Sequence, residues 1–287
     1  MNIRNDEPER ELFVLEKTRN YRRIVADSYS LLIANTRTLF VSVWPVCFVV
    51  GLVLSARLYF VHQQTFVSRL ADGLCVLFVL MAAAVMIHVV HHVLEDYSGK
   101  EVMNAFRYSR RGMKSLMKEA CGTFLILVID ATVSFSLLLS GFLLISHFMA
   151  TVVVSVLLIA FLQVPFVLAL FRRVVKLKPV GAAIIYGFRN TFRYFGSTLF
   201  LLFVSVVLLV LLGVVLCLPL EVLELSVSQS YAAVASGDPT DLPSYIYSLY
   251  HILAVVLFTF YCYLMLIPVV PQILHAHSLG IADKSGR

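Results

Sequence analysis

The chain has 287 residues, of which 60% are hydrophobic and only 14% charged, with a mean hydropathy of +0.89 and a formal net charge of +6. That composition is far too apolar for a soluble globular protein of this length. The basic balance does not point to nucleic acid, because the Lys and Arg residues flank apolar runs instead of forming a basic, aromatic-interleaved domain; the lipid bilayer and its anionic headgroups are the expected partners.

An all-α, polytopic membrane protein with six transmembrane helices is predicted. A helix needs about 20 apolar residues to cross the hydrocarbon core, and six runs qualify, at roughly 39 to 61, 71 to 94, 122 to 145, 148 to 171, 196 to 219 and 246 to 274. Residues 1–38 then form an N-terminal amphipathic segment, 39–274 the six-helix domain and 275–287 a C-terminal tail. Of the 23 Lys and Arg residues, 21 fall in the N-terminal segment, the second and fourth connections or the C-terminal tail. Basic residues next to spans stay on the cytoplasmic side, so both termini and those two connections are expected to face the cytoplasm, with the chain in the inner membrane of a bacterium. The N-terminus, MNIRNDEPEREL, lacks the basic start and immediate apolar core of a cleavable signal, so the first span is expected to serve as the insertion signal and to be retained.

Between Pro8 and Thr38 the pattern is helical, with Leu12, Leu15, Ile24, Leu31 and Leu32 interleaved with charge, which suits a helix lying partly on the membrane surface. The first span contains Pro45, and Arg57 near its outer end is expected to snorkel outward. The second span ends in His88-Val-Val-His91-His92, followed by Glu95 and Asp96. Positions i, i+3, i+4 and i+7 share one helical face, so His88, His91, His92 and Glu95 can present three imidazoles and a carboxylate together, a set able to hold a metal ion with His275 or His277 as a further ligand. The alternative is an interfacial role in which the imidazoles bond headgroup phosphates or cap the helix end.

The connection from Asp96 to Cys121 is a second basic amphipathic segment. Val102, Met103, Phe106, Met113, Leu116 and Met117 alternate there with Lys100, Arg107, Arg110, Arg111, Lys114 and Lys118. Asp130 follows in the third span, near mid-bilayer, where an ionised carboxylate costs roughly 2.5 to 3.5 kcal/mol. Its face continues through Thr123, Leu127, Ser134, Leu137 and Gly141, a polar and small-residue stripe suited to helix packing. Gln163 in the fourth span, two residues before Pro165, is the expected amide partner. The connection from Arg172 to Tyr194 is a third basic amphipathic segment, starting at Pro179 and setting Ile184, Ile185, Phe188 and Phe192 against Arg189 and Arg193. The third external connection, about Leu220 to Tyr245, has no Lys or Arg, carries Glu221, Glu224, Asp238 and Asp241, and contains the turn signal GDPTDLP. The last span holds Pro268 and Pro271.

Three surface helices each precede an outward span, a layout that fits three repeats at roughly 9 to 94, 100 to 171 and 180 to 274. Asn35-Thr36 and Asn190-Thr191 both stand just ahead of their spans, although any six-span protein with cytoplasmic termini shows similar charge. The five cysteines lie within or at the edge of apolar runs, with no CxxC spacing, so neither a disulfide framework nor a zinc finger is indicated. Walker A, HExxH and GxSxG motifs are absent.

Two resemblances follow from these motifs. HxxHH resembles one histidine box of the membrane desaturase and hydroxylase families, whose di-iron centres use eight or more histidines in three boxes; this chain has eight histidines in all and no second box. The basic surface helix feeding a helical pair, seen best in Gly187-Phe-Arg-Asn-Thr-Phe-Arg-Tyr-Phe-Gly196, looks like a broad set of bacterial six-span proteins that includes the membrane domain attached to some glycerophosphodiester phosphodiesterases. That layout implies an integral inner-membrane protein and carries over no functional residue, because no phosphodiesterase catalytic domain is expected within these 287 residues.

Three functions are compatible with these residues. The leading one is a non-enzymatic, lipid-interacting scaffold or accessory subunit without cofactor, gripping anionic headgroups through Arg107, Arg110, Arg111, Arg189 and Arg193, with a membrane-protein partner or a second copy as associate. The second is a small-molecule or lipid transporter centred on Asp130 and Gln163. The third is a metal-dependent membrane enzyme of hydroxylase or oxygenase type using His88, His91, His92 and Glu95.

Overall fold

The computed structural model describes residues 19–60, 66–97, 113–144, 148–237 and 243–284. In hydrocarbon every backbone N–H and C=O must find an internal partner, and regular structure among the described residues is entirely helical: α1 (Tyr21–Ala34), α2 (Thr36–Phe60), α3 (Phe66–Tyr97), α4 (Met113–Leu144), α5 (Phe148–Lys176), α6 (Val180–Ala235), α7 (Ser244–Leu264) and α8 (Leu266–Lys284). Six stretches are long and apolar enough to cross a membrane: Thr36–Leu58, Ser68–Glu95, Ser115–Ser140, Leu157–Lys176, Val180–Val234 and Ser248–Ile281. The chain is an all-α membrane protein with six transmembrane helices.

Element boundaries follow from local chemistry. At Asn35 the backbone leaves the helical region (φ −114°, ψ 17°), and its side-chain amide donates to the Leu31 carbonyl at 3.2 Å. The Thr36 hydroxyl donates to Leu32 O at 2.6 Å, so the α1–α2 joint leaves few carbonyls unserved. Rather than lying apart on a surface, α1 buries Ile24, Ser28 and Leu31, and the Arg19 N–H donates to Ser278 Oγ of α8 at 2.9 Å. The two ends of the described chain therefore meet at one end of the bundle, called here the terminal end.

Two expected boundaries move. The surface helix at 180–194 and the fifth span are one 56-residue helix. Pro179 sits at its N-cap, where a missing N–H is harmless. Asn190 Nδ2 donates to Tyr186 O at 3.0 Å and Thr191 Oγ1 to Gly187 O at 2.7 Å, so these polar residues stay within the helix instead of ending it. The helix also runs through residues 220–235, expected as loop; Glu221 and Glu224 ride on its surface, and it ends just before Gly237 at φ +90°. At about 1.5 Å per residue it is roughly 84 Å long, well beyond the ~30 Å hydrocarbon thickness.

The sixth span breaks at Met265, because Pro268 has no N–H and its ring excludes the carbonyl four residues earlier, that of Leu264. The Met265 N–H turns to Cys262 O at 3.1 Å, and α8 resumes at Leu266. Residues 275–284, read from sequence as the start of a tail, complete α8, with His275, His277, Ser278 and Leu279 buried.

Close helix crossings use glycine. A Cβ on Gly187 would strike the Pro165 carbonyl oxygen, so α6 approaches the backbone of α5 directly; a Cβ on Gly51 would meet Thr259 Oγ1 and, at 2.7 Å, Val255 O of α7. The main core lies at the terminal end, where Ile24, Leu31, Leu39, Val90, Phe171 and Ile273 pack in one cluster. Away from it a smaller cluster buries Leu220, Ala254 and Leu257, and many apolar side chains face outward, among them Phe135, Leu157, Phe203 and Val215. Arg57 does not simply reach out to solvent; its guanidinium pairs with Asp72 of α3.

Candidate metal centre

The face of α3 that carries His88, His91, His92 and Glu95 turns into the bundle at the terminal end. His88 is 0% exposed, His91 3% and His92 8%. Burying three imidazoles favours partners for their ring nitrogens; the neighbouring helices supply several, while His88 Nδ1 and His91 Nδ1 are left without a hydrogen-bond partner. α4 runs beside α3 and contributes Glu119 and, one turn on, Thr123; α8 contributes His277.

His92 lies between two carboxylates, with Nδ1 at 3.1 Å from Glu95 Oε2 and Nε2 at 3.0 Å from Glu119 Oε2. His91 Nε2 and His277 Nε2 share a hydrogen bond at 3.2 Å, with the rings stacked at an interplanar angle of 14°. Glu95 Oε1 is 3.7 Å from His91 Nε2. His88 Nε2 meets Thr123 Oγ1 at 2.8 Å, while its Nδ1 has no hydrogen-bond partner and stands 3.9 Å from Glu119 Oε2.

These atoms form two sets of two imidazoles and a carboxylate. One is His88 Nδ1, His92 Nε2 and Glu119; the other is His91, His92 and Glu95, with His277 hydrogen-bonded to His91. A tetrahedral site with bonds of about 2.0 to 2.1 Å has ligand edges near 3.3 Å, and the separations of 3.0 to 3.9 Å bracket that value. Thr123 can serve the first set in the way a hydroxyl beside a ligating histidine does: in the tautomer where His88 Nε2–H donates to it, the Nδ1 lone pair is left available. Without metal, the same geometry suits an imidazolium at His92 held by two carboxylates.

Two members were not identified from the sequence. Glu119 is the single acidic residue between Glu101 and Asp130, and that isolation at the start of an apolar span was the available signal. Thr123 had been assigned to the packing stripe only. The alternative between His275 and His277 is resolved geometrically: His277 meets His91, while His275 Nε2 lies 3.2 Å from Thr198 Oγ1 and 3.5 Å from Ser197 Oγ on α6. His251, on α7, belongs to the opposite end, beside Ser55, whose hydroxyl donates to its carbonyl at 3.0 Å.

The other expected residues lie apart from this cluster. Gln163 Nε2 donates to Asp130 Oδ1 at 2.9 Å and to Ser134 Oγ at 3.3 Å, bringing together the mid-span pair of α4 and α5. Arg189 and Arg193 are exposed on the first turns of α6, the Arg193 guanidinium lying 5.3 Å from the Tyr194 ring centroid. Arg107, Arg110 and Arg111 fall outside the described residues. Comparison with family models, with curated proteins and with solved structures returns no match for this chain.

Proposed function

We propose that this protein is a metal-dependent integral membrane protein that holds a divalent transition-metal ion at the terminal end of its helical bundle. The observation that carries the reading is the gathering of buried imidazoles and two carboxylates into two sets, His88, His92 and Glu119 and His91, His92 and Glu95, each with its ligand atoms within 4.8 Å of one another, and with His277 of α8 bonded to His91. A scaffold that only grips lipid has no use for such a cluster under cover. Mixed imidazole and carboxylate donors suit zinc, iron or manganese over a soft thiophilic ion. The set of His88, His92 and Glu119 supplies three ligands and leaves a fourth position for water or substrate, the arrangement in which a metal acts as Lewis acid or activates bound water.

Cobalt(II) tests this directly. Titrating the detergent-purified protein should produce visible ligand-field bands that saturate at a fixed stoichiometry and vanish in His92→Ala. Bands absent from the folded wild type would refute the assignment.

A second reading concerns the membrane surface and is compatible with the first. At the start of α6, Phe192 is 83% exposed, and Ile185 and Phe188 are exposed as well, next to exposed Arg189 and Arg193. Aromatic side chains beside guanidinium groups suit an anionic headgroup layer. With the excess of positive charge near this end, the positive-inside rule puts the terminal end, and the metal with it, on the cytoplasmic side of a bacterial inner membrane. Alanine at Arg189 and Arg193 together should weaken flotation of the protein's 180–195 peptide with phosphatidylglycerol vesicles; equal flotation would remove this reading.

A further inference from the structure

A second polar chamber lies at the terminal end, between α5, α6 and α8 and separate from the histidine and glutamate cluster. Its polar lining comes from Arg172, Tyr186, Gln272 and His275, with Val167 and Phe171 among its apolar walls. The three residues Arg172, Gln272 and His275 are only 7%, 4% and 5% exposed. The Arg172 guanidinium sits 4.2 Å from the Tyr186 ring centroid. Gln272 Nε2 and His275 Nδ1 are buried without any hydrogen-bond partner.

Burying such groups unserved costs about 1 to 3 kcal/mol each, so the chamber calls for a ligand that accepts hydrogen bonds. The chamber is small, with room for about one atom of water size. The polar nitrogens of the lining, those of Arg172, Gln272 and His275, include strong donors. A guanidinium and an amide nitrogen can only donate. At His275, Nε2 faces the Thr198 hydroxyl at 3.2 Å. With Thr198 donating to Nε2, the ring proton sits on Nδ1. An anion accepts from all three. The surrounding field has the same sign: Arg172 Nη1 and Lys176 Nζ both lie 3.6 Å from where a Gly280 Cβ would stand.

We infer that this chamber binds one compact anionic centre, a halide or a single oxygen of a phosphate, through Arg172, Gln272 and His275. The site does not rest on the metal reading, and its test is run with chelator present so that metal-bound chloride cannot contribute. In non-ionic detergent, chloride is titrated against gluconate at constant ionic strength and the ³⁵Cl resonance is followed. The expected result is an excess linewidth that saturates with chloride and an affinity about tenfold weaker in Gln272→Leu, as loss of one hydrogen bond to a charged group implies. Displacement of chloride by inorganic phosphate, or by phosphatidylglycerol added to the micelles, identifies a free or lipid-borne oxyanion as occupant; retention identifies the halide. A wild-type linewidth equal to that of empty micelles overturns the inference, and so does an unchanged linewidth in a folded Gln272→Leu. If that variant does not fold, the wild-type comparison still decides.

Discussion

At the scale of single residues, Thr123 is the most informative position. Its hydroxyl touches no metal ligand set directly except through His88, at 2.8 Å, so its contribution is to hold a ring in register. Thr123→Val keeps the shape and removes that bond. Removing such a supporting partner typically lowers metal affinity 10- to 100-fold, and competition with a chromophoric chelator should report a loss in about that range. Thr132→Val, on the exposed face of the same helix with its hydroxyl bonded to Val128 O, should leave affinity unchanged. At mid-span, Asp130→Asn keeps a polar partner for Gln163, whereas Asp130→Leu leaves its amide with Ser134 alone. Interhelical hydrogen bonds in membranes are worth roughly 0.6 to 2 kcal/mol, so the leucine variant should melt earlier than the asparagine variant in a thermal scan; equal midpoints would deny the bond a structural role. The shared face of His88, His91, His92 and Glu95 was legible because helical periodicity is local. Glu119 was not, nor was the choice of His277 over His275, because their place in the cluster depends on which helices become neighbours.

At the scale of elements, α6 offers an internal comparison. Gly187 presses against the α5 backbone at Pro165, while a Cβ on Gly196 would meet nothing within 4 Å. The same substitution should therefore act in opposite directions. Gly187→Ala forces two helices apart and should destabilise by about 1 to 3 kcal/mol, whereas Gly196→Ala should be neutral or stabilise by up to about 1 kcal/mol through helix propensity. Thermal unfolding in detergent distinguishes them, and a shared direction would contradict the packing described. The spans were readable from hydropathy alone. The continuity of α6 was not: the sequence changes from charged to apolar near Gly196, but a change of solvent does not end a helix whose polar side chains bond to their own carbonyls. Pro268 was legible as a disruption, and the break appears where its ring requires it, at Leu264 and Met265.

At the scale of the whole molecule, the proposed metal would tie α3, α4 and α8 together at the end where α1 also docks. A ligand that binds only the folded state stabilises it by about 2.7 kcal/mol at 100 times its dissociation constant. Removing metal with a chelator should lower the unfolding midpoint of the wild type and leave that of His92→Ala where it is. Among the described residues the two sets of ligands accommodate at most two ions. The most direct measurement is elemental analysis by mass spectrometry of protein purified gently and without chelator, alongside His91→Ala and Glu119→Gln. The account predicts zinc, iron or manganese at one to two equivalents per chain in the wild type and a marked loss in both variants. A folded wild-type protein that carries no such metal, and takes up none when each is supplied, would contradict it.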